Sequence, residues 1–87
     1  TAQVMRQFQR FQSRLSEVDA AMIRLSMNTI GSWEIELENG WTIRLGRQQL
    51  EQRVERLIEL LKILPQEKVA VVDLRYGKGA AIKWLPA

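Results

Sequence analysis

Three glutamates, Glu34, Glu36 and Glu38, recur at every second position, the spacing that sets side chains on one face of a β-strand. Carboxylates gathered in this way could hold a metal ion or work as an acid–base pair. The chemistry lacks its usual companions, because the 87 residues include no histidine and no cysteine. That composition excludes imidazole acid–base catalysis, thiolate zinc sites and disulfides together. With no histidine, aspartate or concave wall beside them, the glutamates read better as the wet face of a strand. A metal-dependent hydrolase on Glu34 and Glu36 has only the carboxylates in its favour, so no catalytic residue, metal or cofactor is expected and the chain does not read as an enzyme.

A second candidate chemistry is cationic. Thirteen Lys and Arg against ten Asp and Glu give a net charge of +3. Arg6, Arg10 and Arg14 recur every four residues, with Gln3, Gln7 and Gln12 around them. Such a line could touch phosphates or lipid headgroups. Joined by Arg24 and exposed aromatics, it supports the rival reading, a small nucleic-acid-binding α/β domain using a basic helix face. The basic residues are interspersed with acidic ones rather than gathered in a block, which favours a solvated helix face. A salt titration separates the two, because phosphate binding weakens steeply with salt.

The third chemistry belongs to the backbone. Residues 69–84, VAVVDLRYGKGAAIKW, are two apolar-rich runs flanking a Gly-Lys-Gly tripeptide. Paired as a hairpin, they leave the second run with no later partner in sequence. Its outer side is then an open sheet edge, to which another chain can add a strand. In isolation the same edge could pair with a copy of itself.

Periodicity gives the elements that must position these groups. Eighty-seven residues make one small domain, 1–87, able to bury roughly 60 to 65% of the unfolded chain's surface. No run approaches the about 20 apolar residues of a membrane span, and the start has no signal-peptide pattern. Val4, Met5, Phe8, Phe11, Leu15 and Val18 step by three and four, which makes one face of a helix over residues 4–18. Ile23, Leu25 and Met27 alternate with Arg24 and Ser26, a strand over 21–29 with one wet face. Trp33, Ile35 and Leu37 alternate with the glutamates, and after Asn39 and Gly40, Trp41, Ile43 and Leu45 alternate with Thr42 and Arg44. Leu50, Val54, Leu57, Ile58, Leu61 and Leu64 mark a second helix, stopped by Pro65. Arg53, Arg56, Glu59 and Lys62 fall on its remaining surface, and Leu60 and Ile63 widen its apolar stripe. This helix is long enough for a right-handed crossover, so residues 41–46 should lie parallel to 69–76.

Register depends on which residues can share a face. A two-residue loop at Asn39 and Gly40 would set Glu36 opposite Ile43, among apolar side chains. A three-residue loop with Gly40 left-handed instead pairs Leu37 with Trp41, Ile35 with Ile43, Trp33 with Leu45 and Glu34 with Arg44. The same rule at Gly77, Lys78 and Gly79 sets Tyr76 opposite Ala80, Leu74 opposite Ile82, Val72 opposite Trp84 and Asp73 opposite Lys83. With the closing pair hydrogen-bonded, the main-chain groups of Ala80, Ile82 and Trp84 point inward, and those of Ala81, Lys83 and Leu85 face the open edge. On this register Lys83→Pro abolishes strand addition and spares the fold, whereas Ile82→Pro damages the hairpin. Trp84 has two readings, core packing against Val72 and partner contact. The fold class is α+β: a five-stranded, mostly antiparallel mixed sheet in the order 21–29, 33–38, 41–46, 69–76, 80–86, with two helices packed on one face and an open C-terminal edge strand.

SWEIELENGWTIRLGR, the helix with Arg53 and Arg56, and VDLRYGKGAAIKW together resemble the extracytoplasmic β domain of the FtsQ/DivIB family of bacterial cell-division proteins. The likeness covers residues 32–85. Members of that family are similar in having a short cytoplasmic tail, one membrane span, a POTRA domain and this β domain. The chain would then be an excised, soluble C-terminal piece lacking its anchor, with a native place on the periplasmic face of the inner membrane at the division septum. The resemblance implies a non-enzymatic divisome scaffold that binds FtsB, and through it FtsL, and helps control septal peptidoglycan synthesis. It also implies that the partner adds a strand along the last strand of the domain. The contacts would fall on Tyr76, Lys78, Gly79, Ala80, Ala81, Ile82, Lys83, Trp84 and Leu85. Two places depart from the family pattern. Ile30 and Gly31 stand where enterobacterial members carry an arginine before Ser-Trp, and Lys78 replaces the acidic or amide residue of the final turn.

Overall fold

The apolar steps of the first fourteen-residue helix, α1 (Ala2–Leu15), carry Phe11 and Leu15 into the core. The structure, a computed structural model, describes residues 2–75 and 79–86. After α1 a single 3-10 turn, Ser16–Val18, leads to Asp19, which reverses the chain at φ 57°, a left-handed conformation that aspartate tolerates better than most residues. Gln12 fastens the helix to the first strand. Its Nε2 donates to the Ala20 carbonyl at 3.1 Å, and its Oε1 accepts from the Met22 N–H at 2.8 Å.

Five strands then form one open sheet, in the order β1 (Met22–Met27), β2 (Trp33–Leu37), β3 (Thr42–Gly46), β4 (Val69–Asp73), β5 (Ala81–Trp84). The pair β3–β4 is parallel and the other three are antiparallel. Helix α2 (Leu50–Ile63) makes the crossover between the two parallel strands, as its length predicts. Both helices lie on the face that bears Trp33, Ile35, Leu37, Ile43 and Leu45, and their buried residues share one core with it. Each large apolar side chain fully buried there contributes roughly 1.5–3 kcal/mol.

The β2–β3 hairpin has the expected three-residue loop. Ile35 faces Ile43 and Glu34 faces Arg44. Leu37 N–H donates to the Trp41 carbonyl at 2.9 Å, and Gly40 sits at φ +97°. Asn39 closes the loop by accepting the Trp41 N–H at 3.0 Å. At the far end a bulge between Trp33 and Glu34 sets Gly46, not Leu45, opposite Trp33.

Several expectations need correction. In β1 a bulge between Met22 and Arg24 turns Met22 into the core and leaves Ile23 65% exposed, because an extra residue shifts the alternation by one. In α2, Ile63 is 74% exposed and does not widen the buried stripe. Arg53, expected at the surface, is 7% exposed. It lies three residues after Leu50 and four before Leu57, and so shares their inward side.

The largest correction falls on β4 and β5. Val72 faces Ile82, Asp73 faces Ala81, Val71 faces Lys83 and, beyond a bulge, Val69 faces Trp84. The pairing is therefore two residues out from the expected one, and the connection runs from Leu74 to Ala80. The cause is Asp73. Its Oδ1 accepts the Arg75 N–H at 3.0 Å, and the Arg75 side chain grips the same carboxylate through Nε at 2.9 Å and Nη2 at 2.6 Å. That local bond takes the donor the next rung would have used. The expected pair of Tyr76 with Ala80 lies outside the described residues.

Candidate partner-binding edge

Backbone polarity along β5 is decided two strands away. Leu74 N–H donates to the Arg44 carbonyl on β3 at 2.9 Å. Main-chain groups alternate in direction along a strand, so Val72 and Leu74 turn toward β3, and Val71 and Asp73 turn toward β5. Their partners Lys83 and Ala81 therefore point inward. Leu85 continues the series, its N–H reaching the Lys68 carbonyl at 2.8 Å. The main-chain groups of Ile82 and Trp84 are the ones that face the open edge, which inverts the assignment expected for Ala81, Lys83 and Leu85. Among the described residues nothing pairs with that edge.

Side chains frame the edge with apolar surface. Ile82 packs in part against the core beside Val72, the place that the expected register opens to Trp84. Trp84 stands opposite Val69 and is 50% exposed, and Leu85 beside it is also exposed. Lys83 and Ala81 are exposed, Gly79 is exposed and Ala80 half-buried in the connection. Tyr76 and Lys78, expected among the contacts, lie outside the described residues.

The other candidate chemistries are absorbed by pairing within the chain. Glu34 and Glu36 meet Arg44 and Arg24 at 3.8 and 3.9 Å, so each of these two carboxylates faces a guanidinium. Of the arginine line, Arg10 pairs with Glu51 and Arg14 with Glu55 on α2, and Arg14 also meets Glu17. The four-residue repeat of arginines on α1 matches a four-residue repeat of glutamates on α2 and joins the helices. Three of the four arginines of the nucleic-acid reading are thus already engaged. The groove between the helices, about 560 Å³, is lined by the apolar Phe11 and Val54 and by Arg10, Arg14 and Glu51.

One arrangement is not expected from the sequence. Arg53 donates through Nη1 to the Leu45 carbonyl and through Nη2 to the Arg75 carbonyl at 3.3 Å. Gly46, at φ +78°, makes room for it, since a Cβ there would lie 2.6 Å from Nη1. The signal that could have shown it is an arginine at a core position of α2 following a glycine at a strand end. Asp73 is buried and bonded to Arg75. The side-chain hydrogen bonds from Arg75 hold its carboxyl below the usual carboxylate range, against the opposing effect of burial.

The family model described as "Cell division protein FtsQ/DivIB, C-terminal" matches residues 1–75. Cell division protein FtsQ of Vibrio cholerae is 34% identical over 86 residues, covering 97% of this chain and 33% of its own length. FtsQ of Hahella chejuensis is 39% identical over 80 residues, 88% of this chain and 29% of its own. FtsQ of Escherichia coli is 36% identical over 67 residues, 70% of this chain and 24% of its own. The chain thus spans about a third or less of the length of the curated relatives it matches. With that model spanning α1 through β4 and the Vibrio relative covering 97% of the chain, the chain belongs to the FtsQ/DivIB family of cell division proteins and matches its C-terminal region.

Proposed function

We propose that this chain is a non-enzymatic scaffold domain of the divisome, and that the outer side of β5 receives a strand from FtsB and, through it, engages FtsL. In the longer protein it would be the partner-binding domain behind a membrane anchor, on the periplasmic face of the inner membrane at the septum, helping to control septal peptidoglycan synthesis. The observation that carries this reading is the edge of β5, unpaired among the described residues, with the groups of Ile82 and Trp84 directed outward and the Trp84 ring half exposed beside them. A strand laid there gains several hydrogen bonds worth about 1 kcal/mol each net, and an aromatic anchor adds about 2 kcal/mol.

Amide hydrogen exchange on the isolated domain, with and without a peptide from FtsB, tests it. The Ile82 and Trp84 amides should gain protection on binding, and affinity should change little with salt. A bound peptide that leaves both amides unprotected, or an affinity that falls steeply with salt, refutes strand addition at this edge.

A further inference from the structure

Helix α2 reaches the terminal ribbon with two arginines one turn apart. Arg53 Nη2 donates to the Arg75 carbonyl at 3.3 Å, and Arg56 Nη1 donates to the Gly79 carbonyl at 3.0 Å. Arg75 and Gly79 are the described residues on either side of residues 76–78, in the connection that delivers the chain from β4 to β5. Both ends of that connection are therefore tied to one rigid helix. The ties are made to main-chain carbonyls, so they hold the Arg75 and Gly79 backbone whatever side chains stand at those positions.

The arrangement is built at some expense. Arg53 is buried, and its Nε has no hydrogen-bond partner among the described residues, although burial of a charged group favours full pairing. Gly46 has no side chain where one would strike both Arg53 and Arg75. What the expense supports is a short strand. β5 has four residues, among the described residues it pairs on one side alone, and most of its side chains are exposed. Such a segment opens easily when nothing else holds it.

We propose that Arg53 and Arg56 are positioning residues for the strand-accepting edge, keeping the ribbon extended before a peptide arrives. This rests on the reading of β5 given above. A binding edge that is formed only part of the time weakens apparent affinity by the fraction formed, and pre-ordering removes that loss.

Arg56 is the residue to change, because its bond is exposed and Arg56→Ala should move the melting temperature by no more than about 2–4 °C. Stopped-flow binding of the FtsB peptide to the unsubstituted domain, Arg56→Ala and Arg56→Lys is read beside amide exchange of Ala81 and Lys83, the inward rungs. Arg56→Ala should speed exchange at those rungs and lower the association rate roughly 5- to 10-fold with the dissociation rate unchanged, as expected when the competent fraction falls. Arg56→Lys, which can still reach one carbonyl, should restore most of the loss. A change confined to the dissociation rate would make Arg56 a direct contact and overturn the proposal, as would unchanged association and exchange in Arg56→Ala. If the unsubstituted domain fails to bind, the reading of the edge has failed, and an exchange effect of Arg56→Ala would show that the clasp exists but serves stability alone.

Discussion

Proline at Ile82 and proline at Lys83 should have opposite consequences. Lys83 faces Val71 and turns inward. Proline there deletes a rung donor, strands the Val71 carbonyl and drives its ring toward β4, at a cost of about 3 kcal/mol. In a domain of this size 1 kcal/mol moves the melting temperature by about 4–8 °C, so the melting temperature should fall by roughly 12–24 °C. Ile82 N–H points away from β4, and proline at that position removes no internal bond. Its only internal cost is lost packing of the half-buried side chain beside Val72, which Ile82→Ala reproduces with the N–H intact. Toward a partner, the ring stands in the path of the incoming strand, and pairing at both Ile82 and Trp84 is lost. Two to three hydrogen bonds of about 1 kcal/mol each amount to roughly 30- to 150-fold in Kd. Thermal unfolding followed by circular dichroism, and calorimetric titration with the FtsB peptide, should be run on the unsubstituted domain, Ile82→Ala, Ile82→Pro and Lys83→Pro. A Lys83→Pro domain that melts normally but rejects the peptide, beside an Ile82→Pro domain that melts early, would mean that the inward and outward residues have been exchanged and the reasoning from β3 is wrong.

Further outcomes concern side chains with few substitutes. Gly46→Ala strains a positive φ and displaces the Arg53 guanidinium, and should cost about 2–4 kcal/mol in urea unfolding. Trp41, fully buried, donates Nε1 to the Gln66 carbonyl at 2.9 Å; Trp41→Phe loses that bond and some volume, and should cost about 2 kcal/mol in the same assay. Asp73 has a folded-state pKa below its unfolded value, so its charge stabilises the fold fully above the unfolded value of about 3.9 and the contribution is lost as pH falls through the folded value. The stability gap between the unsubstituted domain and Asp73→Asn should therefore be constant near neutrality and close in acid, and a gap independent of pH down to acid unfolding would contradict the Arg75 pairing.

Alternation alone is enough for the β2–β3 hairpin, because a wrong register would place Glu36 among tryptophans and isoleucines, a penalty plain in the pattern itself. It is also enough for five strands, two helices and their order. It cannot reveal where the β4–β5 pairing stops, since that depends on the Asp73 carboxylate competing for the Arg75 N–H, and a side-chain bond of this kind leaves the apolar pattern untouched. The shift by two residues keeps every side chain on its face, so the pattern carries no warning. The direction of the main-chain groups depends on which residues β3 has already engaged, and only the third dimension holds that information. Ile23 is misplaced by the pattern for a related reason, because one extra residue in a strand changes the parity without changing the composition. Arg53 escapes it because a charged side chain on a helix is usually solvated, and its burial depends on carbonyls contributed by Leu45 and Arg75, the second of them far away in sequence.

The two rims of the sheet are not alike. At β1, the Glu38 N–H reaches the Ala21 carbonyl at 2.8 Å, so the neighbouring Met22 N–H points outward, and the Gln12 amide already occupies it; the displaced residue at Ile23 bends what remains. A protein with two bare rims can join copy to copy without end, as fibres do. Here a second molecule could meet the first rim to rim across a twofold axis and growth would stop there. Among the described residues the chain therefore presents a bare rim at β5 and a partly covered one at β1, an asymmetry that favours contacts closing after one pairing.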